Sequence, residues 1–300
     1  MPPVSNRNPA MPQTHLQKAA DSLESALYTV ATPIGNLADI TLRALAVLRR
    51  ADLVCAEDTR VTARLLAAYG IQARLISVRE HNERQMADKI VSALSDGLIV
   101  AQVSDAGTPA VCDPGARLAE HVREAGFKVI PVPGASAVMA ALSAAGVSES
   151  CFYFNGFLPP KAAARQKLFA AWQGADYPVV MFEAPHRIEA ALSDMAAAFP
   201  ARRLTLAREL TKTFETFLSG TVAEIQTALR EDPNQTRGEM VLILHPAAPE
   251  KNAALPAEAL RVLDILAAEL PTKQAAELAA RITGANKKAL YDAALAHKNG

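Results

Sequence analysis

The chain has 300 residues, half of them apolar, which is enough for two compact domains and a small third one. The 31 basic and 31 acidic side chains cancel, so no overall field attracts nucleic acid, and an RNA contact needs a local basic patch. The three cysteines form no paired motif, so we expect buried thiols in a cytoplasmic protein, with neither disulfides nor a metal site. No stretch approaches the ~18 uninterrupted apolar residues of a membrane span, and we expect no membrane contact.

The amino-terminal segment is rich in Pro, Asn, Gln and Ser and has no apolar signal core. Residues 1–25 are therefore predicted to form a disordered leader. In residues 26–147 short apolar runs alternate five times with helical patterns, which predicts a doubly wound, mostly parallel sheet. Neither G-x-G-x-x-G nor a P-loop motif occurs, so nucleotide sites built on these motifs are excluded. The predicted strands are 27–31, 52–56, 74–78, 98–103 and 128–132.

Helix starts in this first domain are predicted from capping residues. Asp39, Thr59 and Asp113 each stand at the start of a helical pattern, where a side-chain oxygen accepts hydrogen bonds from the first turn. Pro114 follows Asp113, and its missing N–H is harmless at the first helical position. We therefore expect helices at 40–50, 60–69 and 114–125.

Two glycine-bearing loops follow the fourth and fifth predicted strands. The first loop contains Asp105, Gly107 and Thr108, and the second contains Ser136 and Ala137. Strands joined by a helix lie parallel, so both loops emerge at the same carboxyl edge of the sheet, where open α/β sheets bind ligands. The residues alone leave two interpretations open. These are ordinary strand-to-helix turns, or they bring bare backbone groups against a small polar ligand.

The second domain, residues 148–246, has a different pattern. An extended segment at 214–218 follows the strand at 203–208 with no helix between them, which predicts a hairpin and hence a mixed sheet. The other strands are predicted at 152–157, 178–182 and 239–244.

Charged side chains cluster at two places in this second domain. Glu183 and His186 flank a strand-to-helix junction, and either side chain can accept a proton. The alternatives are a helix-capping carboxylate and a packed histidine. Lys161 and Arg165 make the predicted helix at 161–172 locally basic, which indicates either a solvated face or a phosphate-contacting face.

The carboxy-terminal segment, residues 247–300, is predicted to be a linker followed by a small helical domain. Helices are expected at 257–269, from Thr272 to a break at Gly284, and at 287–298. Two helices around a glycine turn, with Lys287 and Lys288 opening the last one, have the outline of a helix-turn-helix. A plain helical hairpin has the same pattern, so both interpretations stay open.

The motif Asp-x-Gly-x-Pro at 105–109, followed by Pro-Gly-x-Ser at 133–136, resembles the cofactor edge of the tetrapyrrole methylase family. That resemblance implies a two-domain α/β fold, S-adenosylmethionine (SAM) bound between the domains, and a homodimer. Further segments are similar to the RNA-modifying branch of the family, which implies methylation of a cytidine 2'-hydroxyl in 16S ribosomal RNA of the small ribosomal subunit. These segments are TPIGNL at 32–37, EDTR at 57–60, FEAPHR at 182–187, RELTKTFE at 208–215 and RGEM at 237–240.

Residue roles follow from this resemblance together with the predicted edge. Glu183 is the first candidate for a base and His186 the second, while Arg60 and Lys212 orient carboxylates or RNA phosphates. Two other functions remain as alternatives: a methylase of a tetrapyrrole or other small substrate, and a SAM-binding ribosome assembly factor without turnover. The predicted cofactor residues are Pro33, Asp105, Gly107, Thr108, Ser136 and Ala137. The predicted RNA contacts are Arg187, Lys161, Arg165, Lys287 and Lys288.

Overall fold

Five parallel strands form the first sheet of the computed structural model, which describes residues 11–79, 81–247 and 255–298. The strand order is β3-β2-β4-β1-β5, and each neighbouring pair is parallel, as the alternating sequence pattern predicts. The strands are β1 (Leu27–Val30), β2 (Leu53–Ala56), β3 (Leu75–Ser77), β4 (Val100–Val103) and β5 (Val129–Val132). The helices that follow them are α2 (Leu42–Arg50), α3 (Thr59–Ala68), α4 (Glu83–Ser95), α5 (Ala116–Glu124) and α6 (Ala137–Ala144).

Helices cover both faces of this first sheet. Tyr28 points into a core shared with α2 and α3, whereas its neighbour Leu27 points into a second core shared with α4 and α5. Successive strand residues face opposite sides, so a strand that is covered on both sides is apolar throughout. The doubly wound prediction is confirmed.

A helix, α1 (Met11–Asp21), lies within the segment that was expected to be a disordered leader. Ala20 is buried, and Leu23 just after the helix packs against the core shared by α2 and α3. The composition of the segment hid a helical spacing of apolar residues at Leu16, Ala20 and Leu23. The expectation of disorder is therefore wrong for α1, and residues 1–10 lie outside the described part of the chain.

Two predicted helix caps in the first domain are shifted by one or two residues. Thr41, not Asp39, caps α2 by accepting a hydrogen bond from the backbone N–H of Ala44 at 3.1 Å. Asp58, not Thr59, caps α3. In both places several capping residues stand together, and propensity alone does not choose among them.

The predicted cap at Asp113 is wrong, because α5 begins only at Ala116. Gly115 precedes the helix with φ 128°, a conformation that favours glycine. A Cβ at Gly115 would lie 1.5 Å from Nε2 of the buried Gln102 side chain on β4. Asp113 therefore lies in the loop that precedes α5, at the carboxyl edge of the sheet.

The second sheet is mixed, with strand order β6-β7-β10-β8-β9. Only the pair β6–β7 is parallel, and β8 and β9 form the predicted antiparallel hairpin. The strands are β6 (Tyr153–Phe157), β7 (Val179–Glu183), β8 (Arg203–Arg208), β9 (Thr216–Thr221) and β10 (Met240–Leu244). The helices are α7 (Ala162–Ala171), α8 (Ile188–Ala198) and α9 (Val222–Glu231).

The two faces of the second sheet have different partners. One face packs against α7, α8 and α9 around residues such as Phe169 and Leu192. The other face presents Val180 and Val241 to Val138 of α6, in a core that joins the two sheets. The residues up to Ala247 accordingly form one compact unit, although the sequence predicts a domain change at 147/148.

The remaining described residues form a three-helix unit. Its helices are α10 (Ala257–Glu269), α11 (Thr272–Thr283) and α12 (Lys287–Lys298). Gly284 ends α11 with φ 72°, as predicted, and the Asn286 side chain caps α12 by accepting hydrogen bonds from the backbone N–H groups of Lys288 and Ala289. Its core is built mainly from alanine and leucine. None of the helices in the described residues is long and apolar enough to cross a membrane.

Candidate active site

A cleft of about 380 Å³ opens between the carboxyl edge of the first sheet and the second sheet. Four of the six predicted cofactor residues line this cleft, namely Gly107, Thr108, Ser136 and Ala137. The candidate base Glu183 lines it as well. The two others lie nearby without lining it. Pro33 is buried, and its neighbour Ile34 lines the cleft in its place.

Backbone hydrogen bonds tie the loops of the first sheet together at this edge. The backbone groups of Thr32 and Gly107 exchange two hydrogen bonds, at 2.8 and 3.0 Å. The Thr108 hydroxyl donates to the carbonyl oxygen of Ala135 at 3.1 Å. Gly107 has φ 76°, and a Cβ there would lie 3.3 Å from Cγ2 of Ile34. The loops therefore form one wall whose surface is largely backbone and small side chains.

Strained backbone surrounds the cleft on both sides. Within the described residues, four residues other than glycine have a left-handed φ: Ala110, Cys112, Glu209 and Thr211. Cys112 and Leu210, which stands between the last two, line the cleft. Such residues are uncommon in folded proteins and concentrate at functional sites, where the surrounding structure holds them.

Three carboxylates make the edge of the first sheet acidic. Burial raises the pKa of Glu57, and the nearby charges of Asp105 and Asp113 raise it further. Burial and then the charge of Asp105 likewise raise the pKa of Asp113, which lines the cleft. Asp105 itself accepts a hydrogen bond from the backbone N–H of Asp58 at 3.0 Å. This edge favours a cationic group over an anionic one.

Glu183 is the last residue of β7, and its side chain is completely buried at the wall of the cleft. Its Oε1 accepts hydrogen bonds from the backbone N–H of Ala184, at 2.7 Å, and from the Arg187 guanidinium. Its Oε2 is buried and has no hydrogen-bond partner among the described residues. A buried acceptor without a partner is costly, so a donor from a bound molecule at this oxygen would be stabilising.

Lys212 does not line the cleft but pairs with Glu239, which does. Its Nζ donates to Oε1 of Glu209 at 2.8 Å and to Oε2 of Glu239 at 3.1 Å. Burial lowers the pKa of Lys212, but these two carboxylates raise it more, so the pKa lies above its usual value. A Cβ at Gly35 would lie 2.4 Å from Cγ of Lys212, so the β8–β9 loop rests directly on the first loop of the other sheet.

A family model described as "Tetrapyrrole (Corrin/Porphyrin) Methylases" matches residues 26–226. The chain belongs to the tetrapyrrole methylase family. A second model, described as "RsmI C-terminal HTH domain", matches residues 253–298, the region that the sequence predicted to have a helix-turn-helix outline.

Curated relatives match the chain over nearly its whole length. "Ribosomal RNA small subunit methyltransferase I" of Neisseria meningitidis serogroup B is 73% identical, covering 96% of this chain and 99% of the relative. The proteins of the same name from Pseudomonas aeruginosa and Escherichia coli O157:H7 are 51% and 48% identical, covering 90% and 93% of this chain and 96% and 97% of the relatives. The resemblance to the RNA-modifying branch is therefore confirmed.

Solved structures share the fold at low sequence identity. A cobalt precorrin-4 methyltransferase aligns with a TM-score of 0.54 at 18% identity, covering 74% of this chain and 95% of that one. A conserved hypothetical protein from Aeropyrum pernix K1 aligns with a TM-score of 0.58 at 19% identity, covering 76% and 86%. The expected combination of a parallel and a mixed sheet is confirmed as a tetrapyrrole methylase fold.

Two predicted catalytic residues of this family member lie outside the cleft. His186 sits in a short 3-10 turn, Pro185–Arg187, and is exposed rather than aimed into the site. Arg60 is 79% exposed and pairs with the Asp58 carboxylate, which holds the pKa of Asp58 well below its usual range. Neither residue lines the cleft with Glu183.

Among the predicted RNA contacts, Arg165 requires a correction. Its guanidinium is buried and forms an ion pair with Asp194 of α8, with Nη2 to Oδ2 at 2.6 Å. It also donates to the carbonyl oxygens of Pro159 and Pro160 at 3.2 and 2.8 Å. The side chain joins α7 to α8 and the preceding loop, so it is not available to RNA phosphates. Lys161, at the start of the same helix, is exposed.

Two of the other predicted RNA contacts are engaged in ion pairs, and the third is exposed. Arg187 is engaged by Glu183, and Lys287 pairs with Glu277 at 2.7 Å. Lys288 is exposed on the first turn of α12. A charged residue in a motif thus does not by itself identify a free cation.

Several residues that line the cleft are not among the predicted site residues. Glu239 lies in RGEM and Phe182 in FEAPHR, so both stood in segments that the resemblance had singled out. Phe157 ends an aromatic strand that was noted only as a strand. No sequence signal identifies Val111 or Cys112, because their position depends on the strained loop conformation.

Proposed function

We propose that the chain is a methyltransferase that uses SAM to methylate the 2'-hydroxyl of a cytidine in 16S ribosomal RNA, with the cofactor in the cleft. The observation that carries this proposal is the cleft itself. It brings the small-residue loops of the first sheet next to the buried, half-satisfied carboxylate of Glu183. The 73% identity to a relative named as a small-subunit ribosomal RNA methyltransferase supports the substrate class.

The first-sheet wall suits SAM on two counts. The backbone at Gly107 and Ala137 can approach a ligand closely, as glycine-bearing loops do in other nucleotide sites. Bound SAM supplies a methyl group on a cationic sulfonium, and the acidic edge around Asp105 and Asp113 favours positive charge. In this proposal Asp105 and Pro33 do not contact SAM themselves, and they hold the loops of this wall in place.

Glu183 is proposed to bind and orient the ribose hydroxyl. Its Oε2 has no hydrogen-bond partner among the described residues, so in this proposal it accepts the hydrogen bond of the hydroxyl and takes up its proton as transfer proceeds. Arg187 holds the other oxygen and thereby fixes the carboxylate. Methyl transfer is a direct displacement, so alignment of the hydroxyl with the methyl donor carries a large part of the rate.

The substrate is much larger than the cleft, and RNA contacts are proposed outside it. We propose that the carboxy-terminal helical unit adds affinity for the small ribosomal subunit through Lys287 and Lys288. Lys161, directly before α7, is proposed to add a further contact. Arg60 and Lys212 orient carboxylates beside the site. The proposal includes action as a homodimer in the cytoplasm.

Mass mapping of 2'-O-methyl groups on ribosomal RNA, from cells with and without the protein, tests this function. The expected result is one cytidine of 16S RNA that loses its mark without the protein and regains it with purified protein and SAM. Assays on free RNA and on assembled small subunits identify the form of the substrate. An unchanged RNA map contradicts the proposal. Transfer to a tetrapyrrole instead would favour a small-molecule methylase, and SAM binding without any transfer would favour an assembly factor.

A further inference from the structure

An aromatic side chain stands exposed at the cleft. Phe157, the last residue of β6, lines the cleft and keeps 55% of its surface exposed. Behind it lies the half-buried Phe182, whose ring centroid is 5.4 Å away with the two ring planes at 64°. This edge-on packing supports the Phe157 ring while leaving much of it open to a ligand.

A local irregularity of the strand sets the position of this ring. The register between β6 and β7 shifts between Phe154 and Phe157, which places Phe157 opposite Phe182. Gly156 has φ 74°, and a Cβ there would lie 3.1 Å from Sγ of Cys112 on the opposite wall. Strand irregularities of this kind re-aim side chains and are frequent beside active sites. The backbone irregularity therefore sets the direction of the Phe157 side chain, on the strand next to the one that carries Glu183.

We propose that Phe157 is the stacking platform for the base of the nucleotide whose ribose is methylated. This inference rests on the proposed function, because it assigns the base of that substrate to a subsite next to the proposed acceptor for the hydroxyl. Proteins hold unpaired RNA bases on aromatic side chains, since every base has a face that can stack. A base fixed on Phe157 brings its own ribose toward Oε2 of Glu183.

Four proteins test this subsite: wild type, Phe157→Leu, Phe157→Tyr and Phe152→Leu. Leucine keeps an apolar side chain but removes the aromatic face, whereas tyrosine keeps the face. Phe152 is also exposed, lies just before the same strand and does not line the cleft, so it is the matched control. Single-turnover methylation is measured against the concentration of small subunits that lack the mark. SAM affinity is measured by calorimetry, and the molar mass by sedimentation.

The half-saturating subunit concentration is expected to rise roughly five- to a hundredfold in Phe157→Leu. It should stay within about twofold in Phe157→Tyr and Phe152→Leu, and SAM affinity and molar mass should be unchanged in all four. An unchanged half-saturating concentration in Phe157→Leu overturns the inference while leaving the proposed function intact. A fall in SAM affinity assigns the ring to the cofactor instead, and a fall in molar mass assigns it to a second copy, so either overturns the inference. A wild-type protein that transfers no methyl group to RNA refutes the proposed function and this inference with it.

Discussion

The two walls of the cleft are built in different ways. The first sheet contributes loops whose small residues and backbone groups line the space, around Gly107 and Ala137. The second sheet contributes side chains, and its charged ones are held in pairs, such as Glu183 with Arg187 and Glu239 with Lys212. A ligand on the first wall is therefore recognised by shape and backbone, and a ligand on the second wall by a few positioned side chains. Substitutions in the first wall should therefore lower SAM affinity, and substitutions in the second wall should lower the rate of methylation.

The largest effect is expected from adding bulk to the first wall. Gly107→Val places a β-branched residue at a left-handed φ and against Ile34, so SAM affinity should fall by about a hundredfold or more. Gly97→Val is the control, because Gly97 has φ 81° with nothing within 4 Å of an added Cβ. Calorimetry should find normal SAM affinity in the control, despite similar backbone strain. Ser136→Tyr should also lose SAM binding. Unchanged affinity in Gly107→Val and Ser136→Tyr would exclude the first wall as the cofactor site.

A substitution in the second wall should affect rate rather than cofactor binding. Glu183→Gln keeps the shape but removes the carboxylate charge, so single-turnover methylation should slow by roughly a hundredfold. SAM affinity should barely change. The control is Glu189→Gln, which changes an exposed carboxylate on α8 outside the cleft. A rate within a few-fold of wild type across the pH range would mean that Glu183 is not needed to accept the proton.

The helical unit should contribute affinity without chemistry. In Lys287→Gln/Lys288→Gln, RNA affinity should fall, and the slope of log affinity against log salt should shrink by about 1.5 for two lost phosphate contacts. Filter binding at several salt concentrations measures both quantities. Ending the chain at Ala247, the last residue of the first compact unit, should weaken binding further and leave SAM affinity intact. The same salt slope in the double variant and in wild type would remove these lysines from the RNA interface.

The smallest expected effect is on the pH dependence of the free energy of unfolding. It comes from the end of the second sheet that lies opposite the cleft. His245 follows β10, and its Nε2 is 2.8 Å from the Thr205 hydroxyl. Burial lowers the pKa of His245 below its ordinary value of 6.5. The unfolded chain thus binds a proton more readily, so this residue lowers the free energy of unfolding as pH falls below about 6.5.

Urea unfolding at pH 7.5, 6.5 and 5.5 tests this dependence. His245→Gln should flatten the decline in the unfolding midpoint toward acid pH, whereas His186→Gln, which changes an exposed histidine, should not. Identical pH profiles for wild type and His245→Gln would contradict the role assigned to burial.

The sequence predicts the features that depend on local patterns, and it does not predict those that depend on packing between elements. The strands and the convergence of the two loops follow from local apolar patterns and from the parallel crossover rule, and both sheets agree with the expectation. The pairing of Arg165 with Asp194 joins residues of two different helices. The start of α5 depends on Gln102 of β4 meeting Gly115. Such contacts arise from packing between elements, which no local pattern encodes.

A crystal structure with S-adenosylhomocysteine, the product that remains after methyl transfer, would show directly whether the cleft is the cofactor site. We expect the ligand to occupy the cleft beside Gly107, with backbone groups of Thr108 and Ala137 within hydrogen-bond distance and Oε2 of Glu183 facing the position of the lost methyl group. A ligand bound at any other surface, with this cleft empty, would rule out the cleft as the cofactor site.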